Sequence, residues 1–481
     1  MRHDERIARI LAKPTYGIRE VLCRKYLSEE ITNLDIWSLL FDCLLKQNNH
    51  REIAIQSKKL LAAIPGSTDA MKLCMGALIR SMNITEASEI ALTLPDSCVT
   101  GNPKLAKSVY YLRLLAALDG RAPEQPAALM DLGGQIETFN RGRLSGRVDV
   151  VCYLRCPFHY AIQKEIAGNL RDNRVNTLFS DNIWFALAAK PKVLVVSEAL
   201  YTELEPVRRH LPECLIVNTR HGLGDKNHAA LGASQCDRIC VSSPSIADLL
   251  AEQMLVPREK IWVTGYPQMD GLFRTRAAGP GKTDSQGGRN KTVLFAPTFN
   301  PGLSAATLLT ENLVQSIRGD NTDIHILIRP HPHLPTKAPE LIARWSDEAA
   351  INPNVVLETD SALNLMDLFV DVDLMISDVS SAALAWLALG RPLICLVNRN
   401  AAAESPHYAP DGLEWRMLEC AHAVDDPHDL SSAVQAALQG PDGMAEDRNR
   451  FAEYLFGDLK DGMASQRTAG LIINHLRENA P

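Results

Sequence analysis

DLMISDVSSAALAWLALGRPLICLV, residues Asp373–Val397, holds a whole supersecondary unit in one run of sequence. A short apolar segment (Leu374, Met375, Ile376) meets a turn of small polar residues, Ser377 to Ser381. An Ala/Leu-rich stretch, Ala382–Leu389, follows and stops at Gly390, before Arg391 and Pro392. A second apolar segment, Leu393–Val397, then begins. Run lengths and breakers predict strand, turn, helix and strand, a βαβ unit. The turn places hydroxyls and unpaired N–H groups at a helix N-terminus, a setting that favours an anion, most often phosphate. The plain alternative is that Asp378 or Ser380 serves as an N-cap.

The same alternation extends outward in both directions. Thr292–Phe295, Ile324–Ile328 and Val355–Leu357 are strand candidates upstream, with helices expected at Ala306–Ser316, Glu340–Asp347 and Leu363–Leu368. Downstream, Met444–Asn479 reads as helical with breaks at Gly457 and Gly462. A Gly-rich polar linker occupies residues 278–290; its GPGKT fragment lacks the spacing and preceding strand of a phosphate loop. Before it, Val148–Leu154, Lys192–Ser197, Cys214–Asn218, Arg238–Ser242 and Ile261–Thr264 alternate with helical stretches. The expectation is an α/β protein of two Rossmann-type, doubly wound domains, 146–277 and 291–440, facing a cleft, followed by C-terminal helices at 441–481.

Residues 1–125 read as helices alone. Trp37 and Met71, Leu39 and Leu73, and Leu44 and Leu78 recur at one spacing. That period resembles a tetratricopeptide-like helix pair, suited to a protein partner or to self-association; an ordinary helical cap is the alternative.

Composition narrows the function classes. A net charge of −7 argues against general nucleic-acid binding. No apolar run is long enough to span a bilayer, so a cytoplasmic protein is expected, with membrane contact at most peripheral on the inner face. The 11 cysteines are scattered, and Cys236 and Cys240 have no second pair at zinc-like spacing. They read as small buried apolar residues, and neither a dedicated metal cage nor a cofactor is expected.

Four polar loops follow predicted strands: TRHGLGDK (219–226), APTFN (296–300), RPHPH (329–333) and the serine-rich turn. With these motifs the chain resembles the CDP-glycerol glycerophosphotransferases of the teichoic-acid polymerase and primase type, which have a GT-B fold. The landmarks run in the family's order: NTRHGLGDK, VTGYPQMDGL, LFAPTFNP, ILIRPHPH, ISDVSSAALAWLALGRPLI and DGMASQR, across roughly 190–475. The resemblance implies attack by an acceptor hydroxyl on the glycerol-bearing phosphorus of CDP-glycerol, releasing CMP, with a membrane-linked glycan as acceptor. It implies His221 as general base and His331 as donor to the pyrophosphate or the leaving CMP, with His333 the alternative imidazole. Thr298, Arg329, Ser377, Asp378, Ser380 and Ser381 would hold the donor's phosphates, and Gly222 and Lys226 the acceptor. The chain departs from the family's pattern at Gln268, Val379 and Ala385 and across Asn398–Trp415. Those departures keep a CDP-ribitol donor open. A GT-B glycosyltransferase using a CMP- or UDP-sugar is the rival enzyme, and a catalytically silent helical-repeat interaction protein is the rival outside enzymes. A sugar-nucleotide 2-epimerase would need cleft carboxylates that the motifs do not supply.

Overall fold

The structure is a computed structural model. It describes all residues except 1–2, 100–101, 122–133, 142–146, 199, 225–234, 254–255, 278–289, 301, 310–311, 362, 398, 400–410 and 480–481. The expected linker at 278–290 therefore lies outside the described residues but for Asn290, and Lys226 lies outside them altogether. The chain divides into two compact units, Met1–Val151 with Asn176–Pro191, and Cys152–Val175 with Lys192–Pro481.

The first unit is largely helical. Helices begin at Leu34 and Thr68, and again at His50 and Ile84, so two pairs share one 34-residue offset. The turns repeat as well, with left-handed residues at Asn48 and Met82 just before the second helix of each pair. Trp37, Leu40, Phe41 and Leu44 supply one apolar face, and Cys74, Met75 and Leu78 its counterpart a repeat later. Apolar residues spaced at three and four positions bury one stripe of each helix, which is what lets neighbouring pairs stack. Strand β2 (Thr177–Ser180) also belongs here. It was not expected from sequence: its flanking Thr177 and Ser180 are polar, yet all four residues are buried.

The second unit holds both parallel sheets. The first contains β1 (Val150–Tyr153, its second half in this unit), β3 (Val193–Val196), β4 (Leu215–Asn218), β5 (Arg238–Val241) and β6 (Ile261–Val263). They lie side by side in the order β1-β3-β4-β5-β6. The second contains β7 (Thr292–Phe295), β8 (His325–Ile328), β9 (Val355–Leu357), β10 (Leu374–Ser377), β11 (Leu393–Leu396) and β12 (His422–Val424), ordered β12-β11-β10-β7-β8-β9. From β9 to β12 that is the Rossmann order, which reverses direction between β7 and β10; ligands bind beyond the strand ends at such a reversal. Continuous burial of β10 and β11 fits a sheet covered on both faces. Val293, Phe295, Ile326, Ile328, Leu374, Ile376 and Trp345 form one core there.

Two local readings change. The helix expected over Ala306–Ser316 is replaced by a 3-10 turn, Ala305–Thr307, and a separate helix, Leu313–Arg318. Asn312 sits in the left-handed region ahead of the latter, where a continuous helix cannot pass. Strand β12 was also unpredicted, since two of its three residues, His422 and Ala423, are exposed.

The C-terminal helices bind the two sheets together. Helix Ala445–Phe456 accepts hydrogen bonds at Tyr454 O and Leu455 O from the Ser243 and Ser242 hydroxyls at the end of β5. From the same helix, the buried Arg448 donates to Gly390 O and Cys420 O, beside the second sheet, and pairs with Asp442. Gly457 and Gly462 take positive φ, ending this helix and introducing Ala464–Glu478. That last helix is capped by the buried Asp270, whose two oxygens accept the N–H groups of Ala464 and Ser465 at 2.9 and 2.7 Å. Asp270→Ala should therefore destabilise the chain by about 2 kcal/mol or more, two N–H groups losing a buried acceptor. Urea unfolding of Asp270→Ala against Asp270→Asn, which keeps one acceptor, measures the loss, and the Asn variant should fall between the other two.

Candidate active site

Loops from both sheets of the second unit converge on one aromatic ring. After β4, Thr219 is buried and its hydroxyl shares a hydrogen bond with Ser197 Oγ at 2.9 Å. Arg220 adopts a left-handed backbone, its N–H bonds Asn218 Oδ1, and its guanidinium reaches back to Gly224 O. This tight loop presents His221 on the exposed side. After β8, His331 and His333 are half-buried on a loop that Pro330 and Pro332 restrict. The Phe158 ring lies 6.4 Å from His221, 6.4 Å from His331 and 5.9 Å from His333, edge-on to each. Phe299 closes the other side, 4.6 Å from His331. The two histidines singled out by sequence thus come from loops of different sheets and both lie 6.4 Å from one phenylalanine ring.

The tautomer of His331 can be read from its neighbour. The backbone N–H of His333 donates to His331 Nδ1 at 3.1 Å. A nitrogen that accepts carries no proton, so the neutral ring bears its hydrogen on Nε2 and offers it as a donor.

The serine-rich turn meets the His221 loop directly. A Cβ placed on Gly222 would lie 2.9 Å from Ser381 Oγ and 3.1 Å from its Cβ, so a larger residue there would require the Ser381 side chain to turn or shift. Within the turn, Ser377 Oγ donates to Ala296 O at 2.6 Å and lies 2.9 Å from Ser380 Oγ. Ser380 also caps helix Ser381–Trp386 by accepting from Ala383 N. Asp378 is fully buried, and its Oδ2 accepts the N–H groups of Thr298 and Ala305 at 2.8 and 2.9 Å. The carboxylate therefore braces the loop after β7 against the end of β10, at the order reversal of the second sheet. Arg329 is likewise buried; it donates to Glu358 O and Leu363 O, with Glu358 Oε1 at 3.8 Å, and burial lowers its pKa. These bonds give it a bracing part between the β8 and β9 loops. Val379 and Ala385, where the chain departs from the pattern it resembles, are both fully buried, a setting for apolar side chains.

The loop after β1, Arg155–Phe158, carries the residues that sequence reading missed. Its signal was present: a strand-end loop containing Phe158, followed by His159 at a helix start, in the same topological place as the four loops that were noticed. His159 is buried, its ring 6.2 Å from that of His221. Burial, then the nearby His221, Arg155 and His333, push its pKa down to about 3, so the ring is neutral.

The bracing role of Asp378 has a direct consequence. Asp378→Ala should cost about 2–4 kcal/mol in denaturant unfolding, with two buried N–H groups left unpaired. Ser380→Ala, which removes a cap and the hydroxyl contact with Ser377, should cost about 1–2 kcal/mol.

Comparison with known proteins follows the same lines. Residues 157–474 match the family described as CDP-glycerol:poly(glycerophosphate) glycerophosphotransferase. Among solved structures, the wall teichoic acid polymerase TagF is similar at 14% identity and a TM-score of 0.53, over 82% of this chain and 98% of that one. A TagF variant soaked with CDPG aligns at 14% identity and a TM-score of 0.50, over 78% of this chain and 98% of the other. At such identity the likeness speaks for the fold, a GT-B pair of α/β domains. No curated protein sequence matches the chain. The family match covers well over half of the sequence and includes every loop that meets at Phe158, so the chain belongs to the CDP-glycerol:poly(glycerophosphate) glycerophosphotransferase family of enzymes.

Proposed function

We propose that this enzyme transfers glycerol phosphate from CDP-glycerol to a hydroxyl of a membrane-linked glycan of the teichoic-acid kind and releases CMP. The observation that supports the reading is the pair of imidazoles, His221 and His331, each 6.4 Å from the Phe158 ring and carried by loops of two different sheets. His221, exposed at its loop, takes the acceptor's hydroxyl proton. The freed oxygen bonds to the glycerol-bearing phosphorus, and the phosphorus–oxygen bond to CMP breaks. His331, with its proton on Nε2, donates to the pyrophosphate oxygen that gains charge as CMP leaves. His333 fixes that tautomer through its backbone N–H, which gives the two neighbouring histidines separate tasks.

Around them, the Ser380–Ser381 turn and the loop bearing Thr298 border the donor's phosphates, with Asp378 and Arg329 holding those loops in place. Chemistry of this kind depends mainly on positioning and charge stabilisation. Gly222, and Lys226 beyond the described residues, would serve the acceptor. No helix among the described residues is long and apolar enough to cross a membrane, so a membrane-linked acceptor would be met at the bilayer surface. The helices of the first unit, where Tyr16, Ile18 and Val21 are exposed, are the part we assign to a protein partner or to self-association.

Incubation of the pure protein with labelled CDP-glycerol, CDP-ribitol and UDP-sugars, with and without a lipid-linked glycan, tests the proposal. CMP release from CDP-glycerol is expected; turnover of CDP-ribitol or a UDP-sugar instead would reassign the donor. His221→Ala and His331→Ala should each lower kcat by about 10²–10⁴-fold. Phe158→Ala, which removes the ring that both imidazoles adjoin, should lower kcat/KM by about 10²-fold while leaving the unfolding midpoint nearly unchanged.

A further inference from the structure

The ends of β1 and β3, adjacent strands of the first sheet, bring together three side chains that no sequence motif joins. The thiol of Cys156, a ring nitrogen of His159 and a carboxylate oxygen of Glu198 all lie within 4.8 Å of one another. Among the described residues this is the one grouping of three such donors close enough to share an ion. A second observation points the same way. His159 is fully buried, and neither of its ring nitrogens has a hydrogen-bond partner. Buried polar groups are otherwise almost always paired.

We propose that Cys156, His159 and Glu198 bind a thiophilic divalent ion of the Zn²⁺ class, with water in the fourth position. One sulfur, one imidazole nitrogen and one carboxylate oxygen form a set that suits Zn²⁺ and disfavours Mg²⁺ or Ca²⁺, which take oxygen donors. Tetrahedral bonds of about 2.0–2.3 Å place donor atoms roughly 3.3–3.7 Å apart, so side-chain rotations of about 1 Å would close the site. Charge supports it as well. Arg155 Nη1 donates to Glu198 Oε2 at 2.8 Å, and Arg155 Nε donates to Glu203 Oε1 at 3.3 Å. A dication together with this guanidinium balances the two carboxylates and a metal-bound thiolate. Arg155 would then orient Glu198 from the outer side, as second partners of metal ligands do.

The site has a structural consequence for the cleft. Cys156 and His159 bracket Pro157 and Phe158, so an ion held by both would fix the segment that carries the ring adjoining His221 and His331. Metal binding itself does not depend on which donor the enzyme uses.

The full chain, stripped with a chelator and titrated with Co²⁺ and then Zn²⁺, tests the site. One equivalent of Co²⁺ should give a thiolate-to-cobalt charge-transfer band that Zn²⁺ abolishes. The band should be lost in Cys156→Ser and kept in Cys98→Ser, Cys98 being the other cysteine that is not fully buried. Glu198→Gln, which alters a half-exposed side chain, keeps the test readable if Cys156→Ser fails to fold; it should lose stoichiometric binding with an unchanged far-ultraviolet circular dichroism spectrum. Absence of the band in the native chain, its persistence in Cys156→Ser, or full binding by Glu198→Gln would overturn the assignment.

Discussion

A single buried carboxyl group organises the loops at the end of the second sheet. Asp378 lies at the end of β10, where the strand order of the second sheet reverses, and it accepts two backbone N–H groups from the chain that follows β7. A carboxyl group with no exposure is tolerable only when hydrogen bonds replace the water it has lost. Those bonds tie the Thr298 loop to the serine-rich turn, and the turn in turn touches Gly222 of the opposite domain. Remove that carboxylate and the loops of β7 and β10 lose their common anchor.

The cleft also depends on how the two sheets are joined. Helix Ala445–Phe456 bonds the end of β5 through its carbonyl groups and reaches the second sheet through Arg448. Arg276, in the helix that follows β6, adds a second tie by donating to Ala388 O, between β10 and β11. Catalytic side chains that must stand about 3–3.5 Å from a reacting atom are effective only if their carriers stay in register. The C-terminal helices serve that purpose, and two positive-φ glycines, Gly457 and Gly462, let the chain turn twice to deliver them.

Several polar residues in the cleft's loops act on the protein itself. Arg329 spends its guanidinium on carbonyl groups, Ser377 bonds Ala296 O, and Ser380 caps a helix. Their placement still shapes the site, because they set where Thr298, His331 and Ser381 stand. By contrast His221, His331 and Phe158 present their rings to one shared space. The departures at Val379 and Ala385 are both fully buried, where apolar side chains fit the core.

Much was legible in the residues alone. Apolar runs bounded by Gly and Pro marked most strands, and the polar loops after them marked the cleft, because strand periodicity and breakers are local properties. The 34-residue recurrence in the N-terminal helices was visible for the same reason, and Gly457 and Gly462 announced their breaks. What stayed hidden depends on distance in the chain: that Asp378 would bond Thr298, that Arg329 would turn to carbonyl groups, that β2 and β12 would form strands from residues with little apolar pattern. Phe158 and His159 escaped because their meaning comes from what they face. The sequence by itself determined the class of fold, the order of the motifs and the residue types able to handle a proton near a phosphate. Only the tertiary structure decided which of those residues share a space, since packing and burial bring together positions such as 158, 221 and 331 that no local rule connects.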